Sequence, residues 1–244
     1  TFGDAGGYAE FVCRPASELV PVPSGLDPAE AVCVVVNYLT AHMVMHGTAQ
    51  VRSGERVLVH GAAGGTGSAL LELGRLAGLE MYGTASKYNH ELVSSFGATP
   101  IDYRSQDFVR VLRQAEPDGI DYVFNGMADE YFERGLAVLR QGGVFVHYGG
   151  PQSFASFLRL VAKLLWYNLV PNGKSIKGYG THRVAQQLLV EDWSALFGLL
   201  EEGKIQPVIA GTFPLLEAAK ANALLESGQV TGNIVLLAPE LMQR

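Results

Sequence analysis

A six-residue run, Ala62-Ala63-Gly64-Gly65-Thr66-Gly67, limits what this chain can fold into more than any other feature. It follows a short apolar stretch, Arg56-Val57-Leu58-Val59-His60. Apolar residues at helical spacing come directly after it: Leu70, Leu71, Leu73, Leu76 and Ala77, brought to a stop by Gly78. An apolar strand, a glycine turn and a helix in immediate succession form the first half of a βαβ unit. Glycines in that turn let main-chain N–H groups and the positive end of a helix reach an anion that Cβ atoms would hold away. Set against G-x-G-x-x-G, Ala62 takes the first glycine position, and Gly64 and Gly67 take the other two. An empty structural turn is the competing reading. The strand-loop-helix setting favours a dinucleotide pyrophosphate held by Ala63, Gly64, Gly65, Thr66 and Gly67.

The same theme recurs downstream. Strands are expected at 80–84, 120–125 and 143–148, with a weaker one near 99–101, and helices near 87–96, 107–115 and 130–139. Short connections between them imply right-handed crossovers and an α/β fold with a doubly wound parallel sheet, of the Rossmann type. The two ends read differently. Residues 1–27 carry Pro15, Pro21 and Pro23 and a strand signal from Gly6 to Val12; 183–202 and 214–226 read as helices and 233–237 as a strand. We expect 1–38 and 182–244 to belong to one domain and 39–181 to a dinucleotide-binding domain, with a long helix from about Pro28 to Gly47 leading from one into the other.

The end of the second strand tells which dinucleotide is expected. An NAD site places Asp or Glu there for the ribose 2′-hydroxyl, but this strand ends Gly83-Thr84-Ala85-Ser86-Lys87. Glu80 opens the strand at its far end and Glu91 lies beyond the turn. Ser86 and Lys87 are donors suited to a 2′-phosphate. Hydrogen bonds to charged groups contribute about 1.5–3 kcal/mol each, so the pair would favour NADPH over NADH by roughly 10²–10⁴-fold if additive. The alternative is a solvated lysine at a helix start, where it opposes the helix dipole.

A formal net charge of -6, without a Lys/Arg stripe, argues against a nucleic-acid partner. Cys13 and Cys33, twenty positions apart, supply no metal or redox motif, and a reducing, cytoplasmic setting is expected. The most apolar stretch, Phe154 to Val170, is interrupted by Arg159 and Lys163 and is too short and too charged to span a bilayer. Three roles stay open for it: a wall of the substrate pocket, a contact with another domain or a second copy, or a helix on a membrane surface. His42 and His46 are four apart but lack a partner Glu, so no metal site is expected from the histidines. The chain opens Thr1-Phe2-Gly3 with no initiator Met and no signal peptide, and it is expected to continue a longer polypeptide.

Taken together, Gly6-Gly7-Tyr8-Ala9-Glu10, Ala62–Gly67, Thr84-Ala85-Ser86-Lys87 and Val230–Leu236 resemble the medium-chain dehydrogenase/reductase superfamily, specifically its zinc-independent quinone oxidoreductase branch. The resemblance implies that the two chain ends form part of a GroES-like catalytic domain whose front portion is absent. It implies that Thr40 lies near the nicotinamide phosphate, Tyr103 beside the adenosine 2′-phosphate, and Tyr148-Gly149-Gly150 along the nicotinamide. Asn125 ends a strand at the same cleft. Asn233 stands where relatives often carry Lys. Val36 occupies the position of a zinc-ligand Cys in metal-dependent relatives, and an apolar side chain cannot ligate zinc.

Without a Lewis acid, reduction of an activated double bond is easier than oxidation of an alcohol. The expected activity is therefore NADPH-dependent hydride transfer to a quinone or α,β-unsaturated carbonyl, with no catalytic residue assigned and a homodimer implied by the resemblance. Two alternatives stand beside it: a vesicle- or membrane-associated NADP(H)-binding member with little turnover, and an enoyl-reductase module of a larger synthase.

Overall fold

The computed structural model describes residues 7–9, 11–13, 15–16, 19–127, 130–150, 154–169, 173–180 and 190–241. Contacts divide the chain into two units, one of residues 1–39, 64–69 and 181–244 and the other of 40–63 and 70–180. The boundaries fall inside the first long helix and inside the glycine loop.

The second unit is built on six parallel strands: β1 (Arg56–Val59), β2 (Glu80–Ala85), β3 (Ala98–Asp102), β4 (Ile120–Asn125), β5 (Leu139–His147) and β6 (Ser175–Gly178). Their spatial order is β3-β2-β1-β4-β5-β6, all pairs parallel. This is the doubly wound arrangement expected above, with the switch point beside β1, where the crossovers change face. Between the strands lie helices α2 (Gly65–Leu76), α3 (His90–Ser95), α4 (Phe108–Ala115), α5 (Glu130–Leu136) and α6 (Phe154–Leu169); α1 precedes them as a continuous helix over Pro28–Ala49.

Period-2 alternation sorts the side chains to the two faces of the sheet. Leu58 and Tyr82, paired across β1 and β2, face a core of Phe108 and Leu112 from α4, Phe132 and Leu136 from α5, and Phe145 from β5. Gly83 faces the opposite way, and a Cβ built on it would sit 2.7 Å from Ala62 Cβ and 3.0 Å from Val93 Cγ1, so the helix on that side packs against bare backbone. Asp107 caps α4 by accepting from Val109 N at 3.0 Å. Leu76 departs from its expected buried face and is 44% exposed, at the last turn before Gly78. The edge strand β6 was not anticipated, because Ser-Ile-Lys-Gly buries only Ile176. Asn168 of α6 holds it, donating to Ile176 O at 2.8 Å and accepting from Ile176 N at 3.1 Å.

In the first unit, Asp27 accepts from Ala29 N at 2.7 Å and Pro28 follows as the first helical residue, so α1 starts with both standard signals. Residues 34–38 and 43–49 of α1 are wound as π-helix. Among the described residues α1 is long and apolar enough to cross a membrane by length and composition, and 56% of its most apolar stretch is buried. Helices α7 (Val190–Glu201) and α8 (Ala218–Glu226) accompany a two-stranded parallel sheet of β7 (Ile209–Pro214) and β8 (Asn233–Leu237). Ala29 and Cys33 of α1 pack on Val235 of β8 with Ile209 and Leu237, and Trp193 Nε1 donates to Val35 O at 3.1 Å. The expected strand from Gly6 to Val12 is not formed at Gly7, Tyr8, Ala9, Phe11 or Val12, while Gly6 and Glu10 lie outside the described residues. No neighbouring strand is present there among the described residues to complete its hydrogen bonds. The first part of the helix expected over 183–202 also lies outside them, and the described helix begins at Val190.

The sheet's stability rests on the aromatic and aliphatic packing against β5. Phe145 is fully buried and meets Phe132 at a ring separation of 4.7 Å. Phe145→Ala should cost about 3–5 kcal/mol, read as a lower urea midpoint at unchanged slope; a loss below about 1 kcal/mol would mean that the site collapses and is not rigidly packed.

Candidate functional site

The six parallel strands of the second unit end at one edge of the sheet, where Asn125 closes β4 and Ser86, Lys87, Tyr103, Tyr148 and Gly149 stand one or two positions past the ends of β2, β3 and β5. At β1 the chain leaves through His60, Gly61, Ala62 and Ala63. Gly61 has φ +66°, a left-handed conformation that glycine adopts without strain. Thr84 of β2 anchors the exit: its hydroxyl accepts from Gly61 N at 3.2 Å and lies 3.2 Å from His60 Nδ1, and its carbonyl accepts from Ala62 N at 3.0 Å. His60 N donates to Phe124 O of β4 at 3.0 Å.

Next to it, Ala85 of β2 pairs with Asp102 of β3, so Ser86-Lys87 and Tyr103-Arg104 leave neighbouring strand ends side by side. Lys87 is exposed, and Ser86 begins a short 3₁₀ turn over 87–89. Arg104, not singled out from sequence, carries its guanidinium 5.7 Å from the centre of the Tyr103 ring and adds a second cation at this corner. The Asp102 carboxylate is occupied locally, accepting from Ser105 Oγ at 2.7 Å and Arg104 N at 3.1 Å, and these bonds hold it below the usual carboxylate range. It turns into its own loop and leaves the donors at the corner.

The ends of β4 and β5 meet in the same way. Asn125 is fully buried, accepts from Met127 N at 3.0 Å through its side chain and from Tyr148 N at 3.0 Å through its carbonyl. The Tyr148 ring lies against Gly126, where a built Cβ would be 2.5 Å from it, and a Cβ on Gly149 would be 2.7 Å from Gly126 O. Burial raises the Tyr148 hydroxyl pKa well above its ordinary value, so it keeps its proton at neutral pH.

In the first unit, Gly64, Gly65, Thr66 and Gly67 open α2. Thr66 Oγ1 donates to Asn37 Oδ1 at 2.8 Å, Asn37 Nδ2 donates to Asn233 Oδ1 at 2.5 Å, and Asn233 Nδ2 donates to Val208 O at 2.9 Å. Asn37 was not among the sequence candidates, although a single amide in the apolar run Val34-Val35-Val36-Asn37-Tyr38 calls for a partner. Asn233 is placed in this chain of side-chain amides. Thr40, buried in α1, belongs to the other unit.

A six-stranded parallel sheet in this order, with a glycine turn at its switch point, defines a Rossmann-like fold. A zinc-binding dehydrogenase family model matches residues 96–236, more than half of the chain, and the chain belongs to this family of the medium-chain dehydrogenase/reductase superfamily, on its quinone oxidoreductase-like branch. It is 30% identical to the synaptic vesicle membrane protein VAT-1 homolog of Danio rerio over 95% of this chain and 51% of that protein. Among solved structures it resembles an NAD-dependent alcohol dehydrogenase, 28% identical over 95% of this chain and 65% of that one, with a TM-score of 0.77. It also resembles the quinone oxidoreductase from Coxiella burnetii, 29% identical over 82% of this chain and 58% of that one, with a TM-score of 0.67. The chain spans about half the length of the VAT-1 homolog it matches.

The described residues do not fit the zinc in that family's description. No group of three or more His, Cys, Asp and Glu side chains among them could hold a metal ion. Val36 is apolar, and the Cys33 thiol donates to Ala29 O at 3.2 Å and is pushed up to about 11, chiefly by burial and then by the charge of Glu30. The second unit does offer groups that fit a phosphate: hydroxyl, ammonium and guanidinium donors where β2 and β3 end.

His60 gives this region a pH signature. Burial first, then the charge of Arg134, lowers its pKa to about 3, and its Nε2 has no hydrogen-bond partner. A neutral buried histidine leaves the unfolded chain as the better proton acceptor. Its contribution is complete above the unfolded pKa of about 6.5 and is lost as pH falls from there toward about 3, at roughly 1.4 kcal/mol per pH unit. His60→Gln keeps a partner for Thr84 but cannot take up a proton, so urea unfolding of the variant should show a shallower loss of stability between pH 6.5 and 4.5. Equal slopes for the two proteins would rule this origin out.

Proposed function

We propose that this chain binds NADPH and, within the complete protein, directs hydride to a quinone or α,β-unsaturated carbonyl. The observation that carries the reading is the corner where β2 and β3 end: Ser86, exposed Lys87, Tyr103 and Arg104 gather there, and the Asp102 carboxylate is bonded within its own loop. These groups take an adenosine 2′-phosphate, for which cationic donors are the natural partners. The amides of the 61–67 turn take the pyrophosphate. Thr40, Asn125, Tyr148 and Gly149 are assigned to the nicotinamide half.

When bound, the nicotinamide supplies hydride to the electrophilic carbon of the acceptor, and a proton then completes the reduced product. The protein's part is orientation and exclusion of water. The Tyr148 ring, fixed against Gly126, forms a wall, and water or a tyrosine supplies the proton. The quinone oxidoreductase among the similar structures supports this acceptor class, and the NAD-dependent one makes cofactor choice the decisive measurement. Lys87→Ala should weaken NADPH binding roughly ten- to a hundredfold and leave NADH binding unchanged, by titration calorimetry. A wild-type protein that uses NADH as well as NADPH would overturn the assignment.

A second reading has its own observation. Leu158, Leu165, Trp166 and Leu169 form one exposed stripe on α6, each at least half exposed, and the VAT-1 homolog is a vesicle membrane protein. If this stripe seats on lipid, the full-length protein co-sediments with vesicles containing anionic lipid, and Trp166→Ser with Leu169→Ser abolishes it. Absence of co-sedimentation in the wild type removes this reading.

A further inference from the structure

The amide chain in the first unit is more elaborate than holding a strand end requires. Four groups form one directional series, Thr66 hydroxyl to Asn37, Asn37 to Asn233, and Asn233 to Val208 O, which also accepts from Asn233 N at 2.8 Å. The series is half-buried and carries no formal charge. Both amides press on the glycine turn: a Cβ on Gly65 would be 2.5 Å from Asn233 Oδ1 and 2.7 Å from Asn37 Nδ2. Gly64 also forms a parallel bridge with Gly232, whose φ is +76° and on which a Cβ would collide with Val208 O. Residues 64–66 are thus fixed from the side chains of α1 and β8 and from the main chain before β8. Within the first unit the amino end of α2 has little freedom to shift.

This matters for the amides of that first helical turn, which a helix leaves without internal partners. Donors give their full effect on an anion only when they are already held in place, because any ordering needed on binding is subtracted from affinity. We propose that Asn37 and Asn233 are positioning residues, which hold Gly65 and Thr66 so that the first-turn amides of α2 are set for the dinucleotide's pyrophosphate. The inference rests on the NADPH reading above. It gives Asn233 a task that needs no contact with the cofactor, since its two amide atoms are engaged by Asn37 and Val208.

The experiment compares two ligands on the full-length protein by titration calorimetry: NADPH, and adenosine 2′-monophosphate, which has the 2′-phosphate but no pyrophosphate. Asn233→Ala should weaken NADPH about tenfold, equivalent to about 1.4 kcal/mol, and leave the monophosphate within about twofold. Thr66→Val, a near-isosteric change that removes only the hydroxyl, should do the same in smaller measure. The double variant should be no weaker than Asn233→Ala by more than about twofold, because both changes act through Asn37. A purely structural role would reduce the competent fraction and weaken both ligands alike, so the ratio of the two affinities separates positioning from folding. Parallel weakening, or unchanged NADPH binding in both variants, overturns this inference alone. A wild-type protein that binds the monophosphate but gains nothing from the rest of NADPH also overturns it, whereas one that binds neither ligand overturns the function proposed above and this inference with it.

Discussion

Thr84 holds the carboxyl edge of the sheet in order. Three residues beyond the last ladder position of β1 are tied to their neighbours: Gly61 and Ala62 to Thr84 through its hydroxyl and its carbonyl, and His60 to Phe124. Leaving such N–H groups unpaired inside the protein costs about 1–3 kcal/mol each, so the chain does not fray as it leaves the strand. It turns through Gly61 in one conformation. The order of the other strand ends follows, since β3 is in register with β2 and β5 with β4. The cationic corner and the Tyr148 wall are both consequences of where strands in register stop.

Those strand ends were legible in the sequence, because runs such as Val57-Leu58-Val59 and Tyr122-Val123-Phe124 are buried on both faces and bounded by glycine or turn residues. The strands with few buried positions were not. β6 offers one buried side chain, and β7 ends in Pro214 with no fully buried position. The alternating segment from Gly6 to Val12 misled for the opposite reason: it has the composition of a strand, but a strand is defined by a partner, and composition does not supply one. In the candidate site, Ser86 and Lys87 could be located from their place at the end of the second strand, and Tyr103 from the family resemblance. Arg104 could have been found by carrying the register from Ala85 across to Asp102. Asn37 and Asn233 could not be joined by any local pattern, since 196 residues separate them.

Asn168 settles part of the question of sheet edges. By bonding both main-chain groups of Ile176, it gives the outer strand β6 a side-chain substitute for a further strand. A second copy that extended the sheet at this point would have to displace that amide from two bonds, and would recover only what it had removed. A homodimer formed by pairing edge strands would meet this cost at β6.

The bracing of Gly65 by Asn233 also has a meaning for biosynthesis. During translation the glycine turn emerges long before β8, and in that interval Asn37 can bond Thr66 but lacks its second amide neighbour, Asn233. Any nascent chain that has not yet delivered residue 233 carries the turn in an unsupported state. The order of events on the ribosome therefore runs from sheet to clamp, and the clamp cannot close before β8 has emerged.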